Sequence, residues 1–283
     1  DEPIATQTIV VSTTTDITTL TPADFAFSYN CLGDIDYDTR FAAAKAAGFK
    51  QIGINLRHMG VWLTEHSLDE LDALLAKHDL VVGEMEAVRL MLAEPDPREE
   101  TAAIIAERYR PLRLQATGPY EGTLVEAAAR AAVVADRFAQ WGVEVVLEPL
   151  PFTNMKTPAI AAEICDLAGR PNLSICMDVW HLYRNGLAVA DLEPAWKHIS
   201  TVQFNDGTVI AENDDLLQDC LDNRRVPKAG EFDLVGLLRA RDAHRPDSTF
   251  SIEVINSAHA AMTPQAVAQS IADGITAVVA KLQ

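Results

Sequence analysis

Glu148, Asp178, Gln203 and Glu253 stand near the carboxyl ends of four successive β-like runs, VEVVLEPLP, LSICMDVWH, ISTVQFND and STFSIEVIN. Carboxylate and amide oxygens are the ligands that hard divalent cations take. Four of them converging would cage one such ion. They converge only if the strands that carry them lie side by side and run the same way. Helical stretches separate the runs, and strands alternating with helices imply a parallel sheet. In a closed (β/α)8 barrel the carboxyl ends of all strands open on one mouth, where chemistry gathers.

Side-chain parity supports this arrangement, because successive strand residues face opposite sides. Counting back from each candidate ligand places Cys176 and Ser174, Thr201, and Ser251 and Thr249 on the ligand's own face. The other face carries Ile175 and Met177, Val202 and Phe204, and Ile252 and Val254. Large apolar residues suit an outer layer covered by helices, and small or polar ones suit a crowded interior. Glu148 fits less cleanly, since it shares its face with Val146 and Glu144.

The elements that must position these residues follow a strand-then-helix rhythm. FAFSYN, QIGINL, VVGEMEAV and PLRLQAT read as the first four strands, the last being the least regular. YDTRFAAAKAAGF, TEHSLDELDALLAKHD, PREETAAIIAERY and TLVEAAARAAVVADRFAQWG read as the helices after them, by apolar spacing and terminal residues. TPAIAAEICDLAG, LAVADLEPAWKHI, DLVGLLRARDAH and PQAVAQSIADGITAVVAKL complete eight helices. The expected architecture is a single (β/α)8 TIM barrel over residues 23–283, preceded by a Thr-rich extension, residues 1–22. No GxGxxG fingerprint supports an open dinucleotide-binding sheet. The segment at roughly residues 207–230 is too long for an ordinary connection. It carries Arg224, Arg225 and Lys228, a basic cluster in an acidic chain. Arg225 is expected to reach over the cage to a substrate oxygen.

Composition sets the bounds. The chain has 283 residues, 48% hydrophobic and 23% charged, with a net charge of −18. One barrel needs roughly 250 residues, and no linker or composition break suggests a second domain. The negative charge argues against nucleic acid and anionic membranes as partners, since both require Lys and Arg. No apolar run approaches the ~20 residues of a membrane span. The first twenty residues hold no basic stretch before an apolar core, so no intact signal peptide is expected; they also lack an initiating Met, so the natural N-terminus is expected to lie upstream. Cys31, Cys165, Cys176 and Cys220 lack CxxC spacing. Free thiols and a cytoplasmic location are expected.

Taken in order, EPLP at Glu148, MDVWH at Asp178 (a DxxH motif), VQFND at Gln203, the RRVPKAGEFD loop and SIEVIN at Glu253 resemble the xylose-isomerase-like barrel superfamily. The likeness runs from about Phe25 to Leu282. No one motif is specific; their succession, one per strand, is. The resemblance implies that Glu148, Asp178, Gln203 and Glu253 bind one Mn²⁺ or Mg²⁺, with Co²⁺ a further option. It implies that Glu148 and Glu253 serve as acid and base on opposite faces of a small polyhydroxy ketone. Dimers or tetramers are frequent among such barrels, so a homo-oligomer is also implied. Many relatives place His at the position of Gln203. An amide there makes the cage all-oxygen, which favours Mg²⁺ or Mn²⁺ over Zn²⁺. It also looks more like the dehydratase branch, which includes 3-dehydroshikimate dehydratases. The DNA-repair branch uses several His around a multi-zinc site, and this chain lacks them.

The first expectation is therefore a metal-dependent isomerase or epimerase working through an enediolate. A lyase dehydrating a cyclic hydroxyketone comes second, and a binding protein with a vestigial site third. His181, three residues after Asp178, resembles a family His that contacts substrate or metal. His58, after strand two, is a candidate acid or polar contact. Glu86 is a candidate pocket residue on the third strand, ahead of Glu84. Trp62 and Phe152, just beyond strand ends, are candidate apolar walls. For each of these the competing reading is ordinary packing.

Overall fold

The computed structural model describes residues 15–283. Most of the expected extension, residues 1–14, therefore lies outside the described residues. Its remainder adds Ile17 and Leu20 to the buried core.

Eight parallel strands close in chain order: β1 (Phe25–Phe27), β2 (Gln51–Asn55), β3 (Val81–Val88), β4 (Arg113–Thr117), β5 (Glu144–Glu148), β6 (Leu173–Asp178), β7 (Ile199–Phe204) and β8 (Thr249–Ile252). β8 pairs back to β1, so the barrel has no free edge. The fold is a single (β/α)8 TIM barrel. Even the irregular run PLRLQAT forms a strand, β4, paired on both sides.

Around the strands lie α1 (Tyr37–Ala46), α2 (Leu56–Trp62), α3 (Leu68–His78), α4 (Arg98–Tyr109), α5 (Leu124–Ala139), α6 (Pro158–Ala168), α7 (Val179–Arg184), α8 (Leu216–Asp222), α9 (Leu234–His244) and α10 (Pro264–Val279). Their starts are written locally. Ser67 and Thr123 form capping boxes with Glu70 and Glu126, and Thr157 and Thr263 cap helices that open on Pro. α5 buries a small-residue stripe, Ala127, Ala128, Ala131 and Ala135, ending on Phe138. Such a stripe lets a helix lie close on the sheet.

Ten helices rather than eight are present among the described residues. LAVADLEPAWKHI does not form a continuous helix; it makes two 3₁₀ turns, Val189–Leu192 and Trp196–His198. Pro194 lies between them and has no N–H for a helical ladder. The regular helix of that unit is α7, which starts at once after Asp178. α2 likewise follows β2 directly, because the Asn55 side chain accepts from the N–H groups of Arg57 and His58. α8 sits inside the long β7–α9 connection.

Beneath the mouth the interior holds a buried polar network. Arg113 on β4 donates to Glu84 on β3 at 3.0 Å, to Thr249 at 2.7 Å and to the Phe250 carbonyl at 3.2 Å. Ser251 donates to the other Glu84 oxygen at 2.8 Å. Glu84, read from sequence as a lesser pocket candidate, is thus held in an ion pair within the barrel. Among the described residues no helix is long and apolar enough to cross a membrane. All four cysteines are free and buried.

Candidate metal centre

Strand register brings three of the expected ligands together. Asp178 pairs with Gln203 across β6 and β7, and Gln203 pairs with Ser251 across β7 and β8. Glu253 follows Ser251 by two residues and so returns to the same face, one step nearer the mouth. Glu148 ends β5, and Pro149 stops further pairing there. All four residues are buried.

Asp178 has two jobs. Its Oδ1 caps α7 by accepting from the Trp180 N–H at 2.7 Å and also accepts from Asn205 at 2.9 Å. That leaves Oδ2 for the cavity. With its NH₂ turned inward, the Gln203 amide donates to Glu148 Oε1 and to Asp178 Oδ2, each at 3.2 Å. Turned over, its carbonyl oxygen faces the same two carboxylate oxygens, an arrangement that a cation would satisfy. His181, one turn into α7, places Nε2 3.3 Å from Glu148 Oε1. One ligand atom each from Glu148, Asp178 and His181 lies within 4.8 Å of the others. The Phe152 ring stands edge-on to the imidazole, with centroids 6.0 Å apart.

The electrostatics match crowded anions. Burial, with the Asp178 charge beside it, pushes Glu148 up to about 8. Burial also acts on Asp178, but Arg224, His181 and the bonds from Asn205 and Trp180 hold it below its ordinary value. Burial raises Glu253 against the pull of Arg224. His181 is driven down to about 4, chiefly by burial, and is neutral near pH 7. Three carboxylates, an amide oxygen and a neutral imidazole nitrogen suit a divalent cation. The residues fit.

Glu253 is turned differently from the rest. Its Oε1 accepts from Asn30 at 2.8 Å and Ser28 at 3.3 Å, and its Oε2 accepts from Arg224 at 2.8 Å. Glu86 takes the same two donors, Ser28 at 3.0 Å and Asn30 at 3.1 Å. Glu86 therefore stands behind Glu253, and burial, with Glu84 and Glu253 nearby, raises its carboxyl well above the usual range. Gly53 leaves room for it: a Cβ there would come within 2.4 Å of Glu86 Oε1.

The remaining sequence candidates lie further out. His58 is exposed on α2, its ring 5.0 Å from that of Tyr29. Trp62 ends α2 stacked on His66 at 4.4 Å and edge-on to Tyr37. Arg225 pairs with Glu212 at 2.9 Å and is partly exposed. Its neighbour Arg224 is the arginine that enters the centre. Arg224, Ser28 and Asn30 were absent from the sequence candidates. Arg224 lies in an irregular loop without a period to set its facing. FAFSYN read as one strand through Asn30, whereas the chain leaves the sheet at Ser28, whose side chain accepts from the Asn30 N–H.

A closed barrel with a buried oxygen-rich cluster at the carboxyl ends of β5 to β8 defines a (β/α)8 protein with a candidate metal centre. More particularly, the chain belongs to the xylose isomerase-like TIM barrel family, whose model matches residues 41–275. No curated protein matches the sequence. Among solved structures it is similar to the IolI protein with a bound zinc atom, at 18% identity over 91% of this chain and 98% of that one, TM-score 0.74. It is also similar to the probable 3-DHS dehydratase AsbF of Bacillus anthracis, at 15% identity over 89% and 98%, TM-score 0.69. D-psicose 3-epimerase of Clostridium cellulolyticum aligns at 14% identity over 90% and 99%, TM-score 0.68.

Metal loading is expected to appear in stability. A ligand bound only by the folded state at 100 times its Kd adds about 2.7 kcal/mol. Mn²⁺ should therefore raise the melting temperature of EDTA-treated protein, and Asp178→Asn should abolish most of that rise. An identical melting temperature in EDTA and in saturating Mn²⁺ would remove the metal centre.

Proposed function

We propose that the protein is a divalent-metal-dependent isomerase or epimerase of a small polyhydroxy ketone, acting through an enediolate. What supports this reading is the placement of two buried glutamates, Glu148 on β5 and Glu253 after β8, on either side of Asp178 and Gln203. Glu148, Asp178, Gln203 and Glu253, with His181 adjacent, would hold the metal, which when bound supplies Lewis-acid stabilisation of a developing oxyanion. Donors from Asn30, Ser28 and Arg224 favour the charged form of Glu253 and suit it to take a proton. Glu148, on the other side of Asp178 and Gln203, can return the proton to the opposite face. Phe152 and His181 would wall the substrate on the Glu148 side.

Dehydration of a cyclic hydroxyketone is the second reading, favoured by one observation: Gln203 keeps the strand-seven ligand an uncharged oxygen donor. Incubation with ketohexoses, 2-keto-inositol and 3-dehydroshikimate in D₂O with Mg²⁺ or Mn²⁺ separates the two. Deuterium at the α-carbon without loss of water is the expected result. A new conjugated ultraviolet chromophore would assign the lyase instead.

A further inference from the structure

We infer that the Arg224 guanidinium and a divalent cation compete for the same carboxylate oxygens, so that Arg224 sets how tightly the centre binds metal. The inference rests on the metal reading of the cluster. Arg224 is 1% exposed. Its Nη1 donates to Asp178 Oδ2 at 2.7 Å and to Glu253 Oε2 at 2.8 Å. The other oxygen of each carboxylate is already engaged. Asp178 Oδ1 is held by Trp180 and Asn205, and Glu253 Oε1 by Asn30 and Ser28. The oxygens left for an ion are the two that Arg224 holds, and Asp178 Oδ2 is also the one that Gln203 approaches. A guanidinium and a divalent cation on one buried oxygen repel, because water is excluded from between them.

The guanidinium also has contacts that do not involve the two carboxylates. Nη2 lies 3.0 Å from the Cys220 sulfur, Nε has no partner, and the group faces the Trp180 ring at 5.5 Å. Its backbone is pinned independently: the Arg224 N–H donates to Ile255 O at 3.1 Å and its carbonyl accepts from Asn256 at 2.8 Å. α8, which precedes it, is anchored by Asp219, which accepts from Arg184 at 2.7 Å and from the Glu212 and Asn213 N–H groups at 3.0 Å. The loop is therefore held by bonds other than those of the Arg224 side chain.

The test is a calorimetric Mn²⁺ titration of EDTA-stripped wild type, Arg224→Gln and Arg224→Lys, with melting temperatures in EDTA and in Mn²⁺. Arg224→Gln should bind Mn²⁺ at least about tenfold tighter than wild type, about 1.4 kcal/mol per tenfold. Arg224→Lys, which keeps charge on a shorter reach, should fall between them. Arg224→Gln should melt lower in EDTA, where Asp178 and Glu253 lack a counter-charge, and gain more on adding Mn²⁺ than wild type does. A residue acting only in packing would lower both temperatures alike. If Arg224→Gln does not fold in EDTA, the order of wild type and Arg224→Lys decides. Mn²⁺ affinity unchanged or weaker in the folded variants overturns the inference and leaves the metal reading standing. A wild type that binds no Mn²⁺ overturns both.

Discussion

Replacing Glu148 or Glu253 by glutamine is expected to lower turnover by about 100-fold or more, the scale of losing a positioned acid or base. Glutamine keeps the shape and one ligand oxygen, so metal can still bind, more weakly, while proton transfer stops. The two variants should also differ from each other. Glu148→Gln replaces a buried carboxyl crowded against Asp178 by a neutral amide and breaks no ion pair with Arg224. Glu253→Gln breaks a carboxylate held by Arg224, Asn30 and Ser28 and leaves the Arg224 charge with Asp178 alone. Only Glu253→Gln should therefore lower the melting temperature of the metal-free protein. Deuterium exchange at the substrate α-carbon, measured with metal saturating, reads turnover directly. A variant that exchanges at near wild-type rate takes its glutamate out of the chemistry.

The barrel and four of the clustered side chains were legible in sequence for one reason: period two. Asp178, Gln203 and Glu253 lie on runs whose alternation fixes their face, Glu148 less cleanly, and parallel register then brings the strand ends together. Where no period exists, legibility stops. Arg224 and Arg225 are adjacent in a loop, and nothing local says that the first turns in to Asp178 while the second turns out to Glu212. Glu84 and Glu86 share a face by parity, but parity gives no depth. Depth separates a residue buried against Arg113 from one standing behind Glu253. α7 carries a local start signal, since an Asp before VWH is a helix cap as well as a ligand type. Asp178 is both.

Depth also decides which interior carboxylate matters for stability rather than chemistry. Glu84→Gln is expected to destabilise the protein by about 3–5 kcal/mol, the cost of removing one partner of a buried ion pair. Arg113 and Glu84 are each 1% exposed or less, and the guanidinium lies 2.9 Å from the carboxylate. Arg113 has no other carboxylate among its hydrogen-bond partners; Thr249 and the Phe250 carbonyl are neutral. Water cannot replace the lost charge. Changing both residues to methionine should recover much of the loss, because it removes the stranded charge along with the pair. Urea unfolding of the single and double variants measures this. A single variant as stable as wild type would mean that Arg113 finds another counter-charge.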